Sequence, residues 1–272
     1  MSFILTKDVA CSIEQSEIDC LQSRLTAIQQ IDGNPMGIEC KNFGDATAFQ
    51  AKNISGPSYN KILGLSGDEV AYIDSILHFY KESEIPATFD ITPAHATVEL
   101  LKALADKGYV QSGFHTVLYR SLKDICDPEF ETDPLMTIRE LHPDEFNVFG
   151  EIYTTGFGMP SFLSEHVATN NRVLHHHQNW NFYIALYDGE PAGIGVFYAK
   201  NGIGTLAASA TLPAFRNKGV HQALVATRIE KAKELNCSLL VGQAAFGSAS
   251  HRNMERAGMK IAYTKGIWSP LH

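Results

Sequence analysis

The stretch Ala210-Thr211-Leu212-Pro213-Ala214-Phe215-Arg216-Asn217-Lys218-Gly219-Val220-His221-Gln222-Ala223-Leu224 decides the reading of this chain. A strand ends at Pro213, a short basic loop follows, and a helix starts around a glycine. At such a junction backbone N–H groups have no intrahelical acceptor, and the positive end of the helix dipole points outward. That geometry suits a pyrophosphate. Gly219 lacks the Cβ that would block close approach, and Arg216 and Lys218 add positive charge. An ordinary strand-to-helix turn can carry the same residue types, so the loop needs its context.

Working outward, Phe182–Tyr187 and Ala192–Tyr198 read as strands joined across Asp188-Gly189, a hairpin signal. Gly204–Leu212 is the third strand. The helix runs from about Lys218 to Leu235, with Val225, Ile229 and Ala232 on one face. Ser238–Val241 is a short buried strand. A helix over Ser248–Ala257 stops at Gly258, and Lys260–Trp268 closes the half as a strand.

The first half repeats this order loosely. Met36–Asn42 and Ala46–Ala51 flank Gly44-Asp45, Tyr59–Leu65 is the third strand, and Gly67–Glu82 is a helix. Ala87–Ile91 is a short strand. Thr92 caps the next helix, Pro93 is its first residue and Gly108 ends it. Val110–Tyr119 is the closing strand. A duplicated α/β unit accounts for this, with the boundary in the acidic, proline-containing segment 124–133 and domains at 1–133 and 134–272.

Leu-Pro followed by Arg216-x-x-Gly219-x-His221 resembles motif A of the GNAT superfamily of acyl-CoA-dependent N-acyltransferases. Gly247 to Met259 resembles that family's next helix and its terminal Gly-Phe. The resemblance covers residues 135–272 in order and spacing. It implies tandem GNAT-like α/β (α+β) units, each a mixed, mostly antiparallel twisted sheet flanked by helices. The first unit is degenerate, because Gly64-Leu65-Ser66-Gly67-Asp68-Glu69 puts carboxylates where phosphates would lie.

The resemblance further implies acetyl-CoA as co-substrate, no metal, and a small-molecule primary amine as acceptor attacked directly. The backbone of Ser209, Ala210 and Thr211 would pair with the pantetheine arm, and a bulge near Ala207-Ala208 would open the cleft. Arg216 and the N–H groups of Asn217, Lys218, Gly219, Val220 and His221 would hold the pyrophosphate. Asn253 would touch the CoA arm.

Three departures bear on the mechanism. His221 stands where the family has Gly or Ala, so its side chain has to turn away from the phosphates. Met254 stands where many relatives have a proton-donating Tyr. Gly204–Thr211 holds no carboxylate to act as base. Glu165, beside His166, remains as a base and Tyr263 as an acid, with a water chain and an unassisted thiolate as the alternatives. Ser209 can equally satisfy its own strand. A catalytically idle acyl-CoA-binding or regulatory module is the alternative reading, and a transferase using charged tRNA is a third.

Composition narrows the classes. The chain has 272 residues, 30 acidic and 22 basic, for a net charge of −8. Residues 1–134 hold 20 acidic and 10 basic side chains, while 135–272 hold 10 and 12, so only the second half suits a polyanion. The acidic balance argues against nucleic acid or anionic lipid as partner. No apolar run reaches the length of a membrane span. Five cysteines without a CxxC pair, and no positively charged leader, predict reduced thiols in a cytoplasmic protein; the oligomeric state is left open. His175-His176-His177 reads as a solvated helix end, since consecutive helical residues point in different directions. Tyr153, Phe157, Phe162 and Trp180 read as core, and Gly156–Pro160 as an acceptor lid.

Overall fold

The computed structural model describes residues 4–54, 56–123 and 133–271. Most of the predicted linker, 124–132, lies outside the described residues, as does Cys126; the other four cysteines are free thiols. Two compact units are formed, one from Met1–Val117 with Ile261–His272 and the other from Leu118–Lys260. This division differs from the 1–133 and 134–272 blocks expected. The last strand is counted with the first unit, because a local pattern shows that a strand exists but not which sheet receives it.

The first unit begins with α1 (Lys7–Gln29), then β1 (Ile38–Phe43), β2 (Ala46–Ala51), β3 (Lys61–Leu63), α2 (Ile73–Glu82), β4 (Phe89–Ile91), α3 (Val98–Asp106) and the Tyr109–Val117 part of β5 (Tyr109–Ser121). In the second unit follow β6 (Met136–Glu140), α4 (Phe146–Phe157), α5 (Ser164–Arg172), β7 (Trp180–Tyr187), β8 (Glu190–Lys200), β9 (Ile203–Thr211), α6 (Val220–Glu234), β10 (Leu239–Ala244) and α7 (Ala249–Arg256). The chain then enters β11 (Lys260–Pro270).

Within the first unit the strand order is β1-β2-β3-β4-β11-β5. β11 pairs antiparallel with β4 through Gly266–Ile91, and Trp268 packs against a core built around Ile62, Tyr80, Phe89 and Leu100. One predicted boundary is corrected here. The third helix is capped by Thr97, which accepts from the Leu100 N–H, not by Thr92. The Thr92 hydroxyl is instead donated to Glu14 at 3.0 Å, so a tertiary partner has taken the predicted cap.

Within the second unit the order is β10-β9-β8-β7-β6, with the Leu118–Ser121 end of β5 beside β10. Asp188 and Gly189 both adopt positive φ, 52° and 79°, as a two-residue hairpin between antiparallel strands requires. α6 buries Leu224, Val225, Ile229 and Ala232 against Phe197, Leu206 and Leu240. Burial of such aliphatic side chains contributes roughly 1.5–3 kcal/mol each. Both units are thus α/β with a mixed, largely antiparallel sheet flanked by helices. Among the described residues no helix is long and apolar enough to cross a membrane.

Candidate active site

The site is built where β9 parts from β10. Their parallel pairing runs from Ile203–Leu239 to Leu206–Gly242 and stops there. On its other side β9 continues to pair with β8 as far as Thr211–Gly193. Ala208 opposes Val196 and Leu206 opposes Phe197, so Ala207 is an inserted residue: a β-bulge at the predicted place. From the bulge to Thr211, the edge of β9 that faces away from β8 has no strand partner among the described residues.

A residue that sequence reasoning missed fixes this bulge. Arg228 of α6 is 1% exposed and donates from Nη1 to the carbonyls of Ala208 at 2.9 Å and Val196 at 3.2 Å, and from Nε to Leu224 at 2.8 Å. Burial pulls its pKa down to about 9. Gly195 lies directly beneath the guanidinium, where a Cβ would stand 3.2 Å from Nε. In sequence, Arg228 is one polar residue in an amphipathic helix, and only the bulge opposite it reveals a task.

After β9 the chain makes a 3-10 turn at Pro213–Phe215, then enters α6 through Asn217 at φ 63° and Gly219 at φ 78°. Two left-handed residues in so short a loop turn successive N–H groups toward one side. α6 has no side-chain cap, and its first backbone bond is from Ala223 N–H to the Gly219 carbonyl. The N–H groups of Val220, His221 and Gln222 therefore have no intrahelical acceptor. Space for an anion is open, since a Cβ on Gly219 would meet nothing within 4 Å.

The side chains of the loop divide between this opening and the scaffold. Arg216 donates to the Gly156 carbonyl at 3.2 Å, which ties the loop to the end of α4. Lys218 sits over Tyr187, 4.5 Å from the ring centroid, and near Phe215, 5.3 Å away. Tyr187 in turn donates to Asp133 at 2.8 Å. His221 turns toward α7, with Nδ1 3.3 Å from the Asn253 amide nitrogen and Nε2 3.4 Å from the Ser250 hydroxyl. An amide N–H can only donate, so Nδ1 accepts and the ring proton is on Nε2. Burial, then the Arg228 charge, lowers the His221 pKa to about 4, so the imidazole is neutral. His221 and Asn253, read separately from the sequence, are one linked pair.

The remaining predicted residues are not brought to this point alike. The Ser209 hydroxyl donates to the Ile194 carbonyl at 3.2 Å and so satisfies the neighbouring strand. Ala210 packs under α4, where a Cβ on Gly156 would stand 2.7 Å from its own. The Thr211 hydroxyl is buried without a hydrogen-bond partner among the described residues. Glu165 and His166 lie exposed on α5. Tyr263 is counted with the first unit, in the company of Glu17, Glu14 and Cys11; burial raises its pKa far above the ordinary tyrosine value. Met254 is buried against the backbone of Gly242. Trp180 is core, tilted against Tyr198 with ring centroids 4.8 Å apart, whereas Phe157 and Phe162 are 50% and 76% exposed on either side of Gly158–Pro160. His175–His177 follow the end of α5 as a turn. Among the described residues no group of three or more His, Cys, Asp or Glu is arranged to hold a metal ion.

Splayed parallel strands, a bulge on the middle one and an uncapped helix start place the second unit in the class of GNAT-type acetyltransferase folds. Residues 138–259 match the model of the Acetyltransferase (GNAT) family, and this part of the chain is a GNAT domain. Solved structures share the fold over both units. A GCN5-related N-acetyltransferase from Kribbella flavida aligns at 14% identity and TM-score 0.64 over 92% of this chain and 96% of that one. A tandem GNAT protein from the clavulanic acid biosynthesis pathway aligns at 11% identity and TM-score 0.61, covering 94% and 95%. A GCN5-related N-acetyltransferase from Sphaerobacter thermophilus aligns at 16% identity and TM-score 0.58, covering 92% and 91%. No curated protein sequence matches the chain.

Proposed function

We propose that the Leu118–Lys260 unit transfers an acetyl group from acetyl-CoA to a primary amine by direct attack. One observation carries this reading: the unpaired edge Ala207–Thr211 lies next to the uncapped start of α6. The backbone of Ser209, Ala210 and Thr211 would bind an extended pantetheine arm as an added strand. The N–H groups of Asn217 to His221 would hold the pyrophosphate, with Arg216 and the helix dipole supplying positive charge. Asn253 would serve by holding the His221 ring off this surface.

Acetyl-CoA brings a thioester carbonyl open to attack. The protein's contribution is then orientation in a cleft held open by the Arg228-clasped bulge, which removes much of the entropic part of the barrier. No carboxylate on β9 is available as base, so the proton leaves the amine through water, with Glu165 as the carboxylate candidate from the sequence. The acceptor is a small-molecule amine, and the exposed Phe157 and Phe162 flank its entrance.

Isothermal titration with CoA tests the reading. Wild type should bind and Gly219→Glu should not; an absence of binding by the wild type refutes it. Met254 at the proton-donor position favours one rival, a module that binds acyl-CoA without turnover. A broad panel of amines with detection of released thiol separates them, because turnover on any amine eliminates the rival.

A further inference from the structure

The first unit holds a second constellation that acetyl transfer in the other unit does not use. Cys11 and Glu14 lie one turn apart on α1, and His95 comes from the turn before α3. Cys11 Sγ is 3.5 Å from His95 Nε2, and His95 Nδ1 is 2.9 Å from Glu14 Oε2. Glu14 is held on three sides: its Oε2 also accepts from the Thr92 hydroxyl at 3.0 Å, and its Oε1 accepts from the Gly64 N–H at 3.2 Å. The carboxylate is 2% exposed while His95 is 23% exposed, so the order runs from a fixed anion outward to an imidazole and thiol that solvent can reach.

We propose that Cys11, His95 and Glu14 form a nucleophilic site in which the Cys11 thiol accepts an acyl group from an activated ester or thioester. Glu14 fixes the proton on Nδ1, which leaves Nε2 as acceptor toward sulfur. In the step, His95 Nε2 takes the thiol proton and Sγ bonds to the carbonyl carbon. The bond to the leaving oxygen or sulfur breaks, and the proton on Nε2 passes to that leaving group. An arrangement that only lowered a thiol pKa would need a cation but no buried carboxylate behind it. The third member matters because it holds the ring with Nε2 toward the sulfur and stabilises the imidazolium that forms when the thiol proton is taken. Glu14 acts through His95 and is a positioning residue.

The surroundings agree. The Glu14 carboxylate, 2.9 Å from Nδ1, holds the His95 pKa above the ordinary histidine value in spite of burial, with Lys7 and Glu69 as the other charges acting on it. The Tyr263 hydroxyl is 8% exposed as a residue, has no hydrogen-bond partner among the described residues, and feels the charges of Glu17, Glu14 and Cys11. It stays protonated.

The test uses the full chain and p-nitrophenyl acetate, with released nitrophenol followed by absorbance and Cys11 acetylation by peptide mass mapping. Wild type should acquire one acetyl group on Cys11. His95→Gln should slow this at least about 10-fold and move the midpoint of the rate–pH profile toward that of a free thiol. Glu14→Gln should shift the profile the same way; if it melts before measurement, His95→Gln decides alone. Acylation of His95→Gln at the wild-type rate and with the wild-type profile overturns the proposal, as does acetyl found only on other residues. The outcome is independent of CoA binding by the Arg216–His221 loop.

Discussion

Two strand-to-helix loops correspond in the two units, one between β3 and α2 and the other between β9 and α6, and they solve the same problem in opposite ways. In the second unit, Arg216–His221 leaves the N–H groups at the start of α6 without a side-chain cap among the described residues. In the first, Ser66 and Glu69 form a capping box: Glu69 accepts from the Ser66 N–H and hydroxyl, and Ser66 accepts from Asp68 N–H at 3.2 Å. Burial alone would raise the Glu69 pKa, but the bonds from Ser66 and from the backbone at Asp45 and Glu69 outweigh it and lower it. A carboxylate of the protein thus stands where the second unit leaves room for a ligand's anion. The same backbone trap is either closed from within or left open.

The contrast is most easily broken at Gly219. Gly219→Glu places a side chain at φ 78° and a negative charge at the helix start, and CoA affinity should fall at least about 100-fold, roughly 2.7 kcal/mol, by calorimetry. Next comes Arg228→Met, which leaves the carbonyls of Val196 and Ala208 without their donor. Chemical denaturation should show a loss of about 2 kcal/mol, and CoA binding should weaken with it. A variant as stable as wild type would mean that the bulge holds without the guanidinium.

Removing the internal anion sharpens the comparison from the other side. Glu69→Ala should cost about 1 kcal/mol by denaturant unfolding, the worth of a cap, while the CoA stoichiometry stays as in wild type. A second CoA equivalent would show that the carboxylate alone had kept the first unit closed. The smallest effect concerns pH. His221 titrates at about 4 in the folded protein against an ordinary 6.5, so between these values the unfolded chain binds a proton that the folded one does not. Its contribution to stability is complete above about 6.5 and is lost as pH falls toward about 4. Thermal melts of His221→Asn across that window should be flatter than those of wild type.

What the sequence disclosed follows the range of the forces involved. The Asp188-Gly189 hairpin, the apolar stripe of α6 and the terminal Gly258 are set by neighbours a few residues away, and each appears where expected. The bulge at Ala207 came from the resemblance, not from spacing. α1 escaped notice because its buried face includes Glu14, Ser16 and Arg24, which blurs the apolar period of a 23-residue helix. Arg228, the Cys11–His95–Glu14 relay and the destination of β11 depend on pairings across long stretches of chain, and no local pattern encodes those.

The placement of β11 has a consequence for synthesis. Ile261–His272 belongs with Met1–Val117, and β11 lies between β4 and β5 in that order. A ribosome that has released residues 1–117 has therefore not yet released every strand of the first unit. β4 and the Tyr109–Val117 part of β5 must wait, with a gap between them, until the residues after 260 emerge. The unit encoded first is the last to be completed.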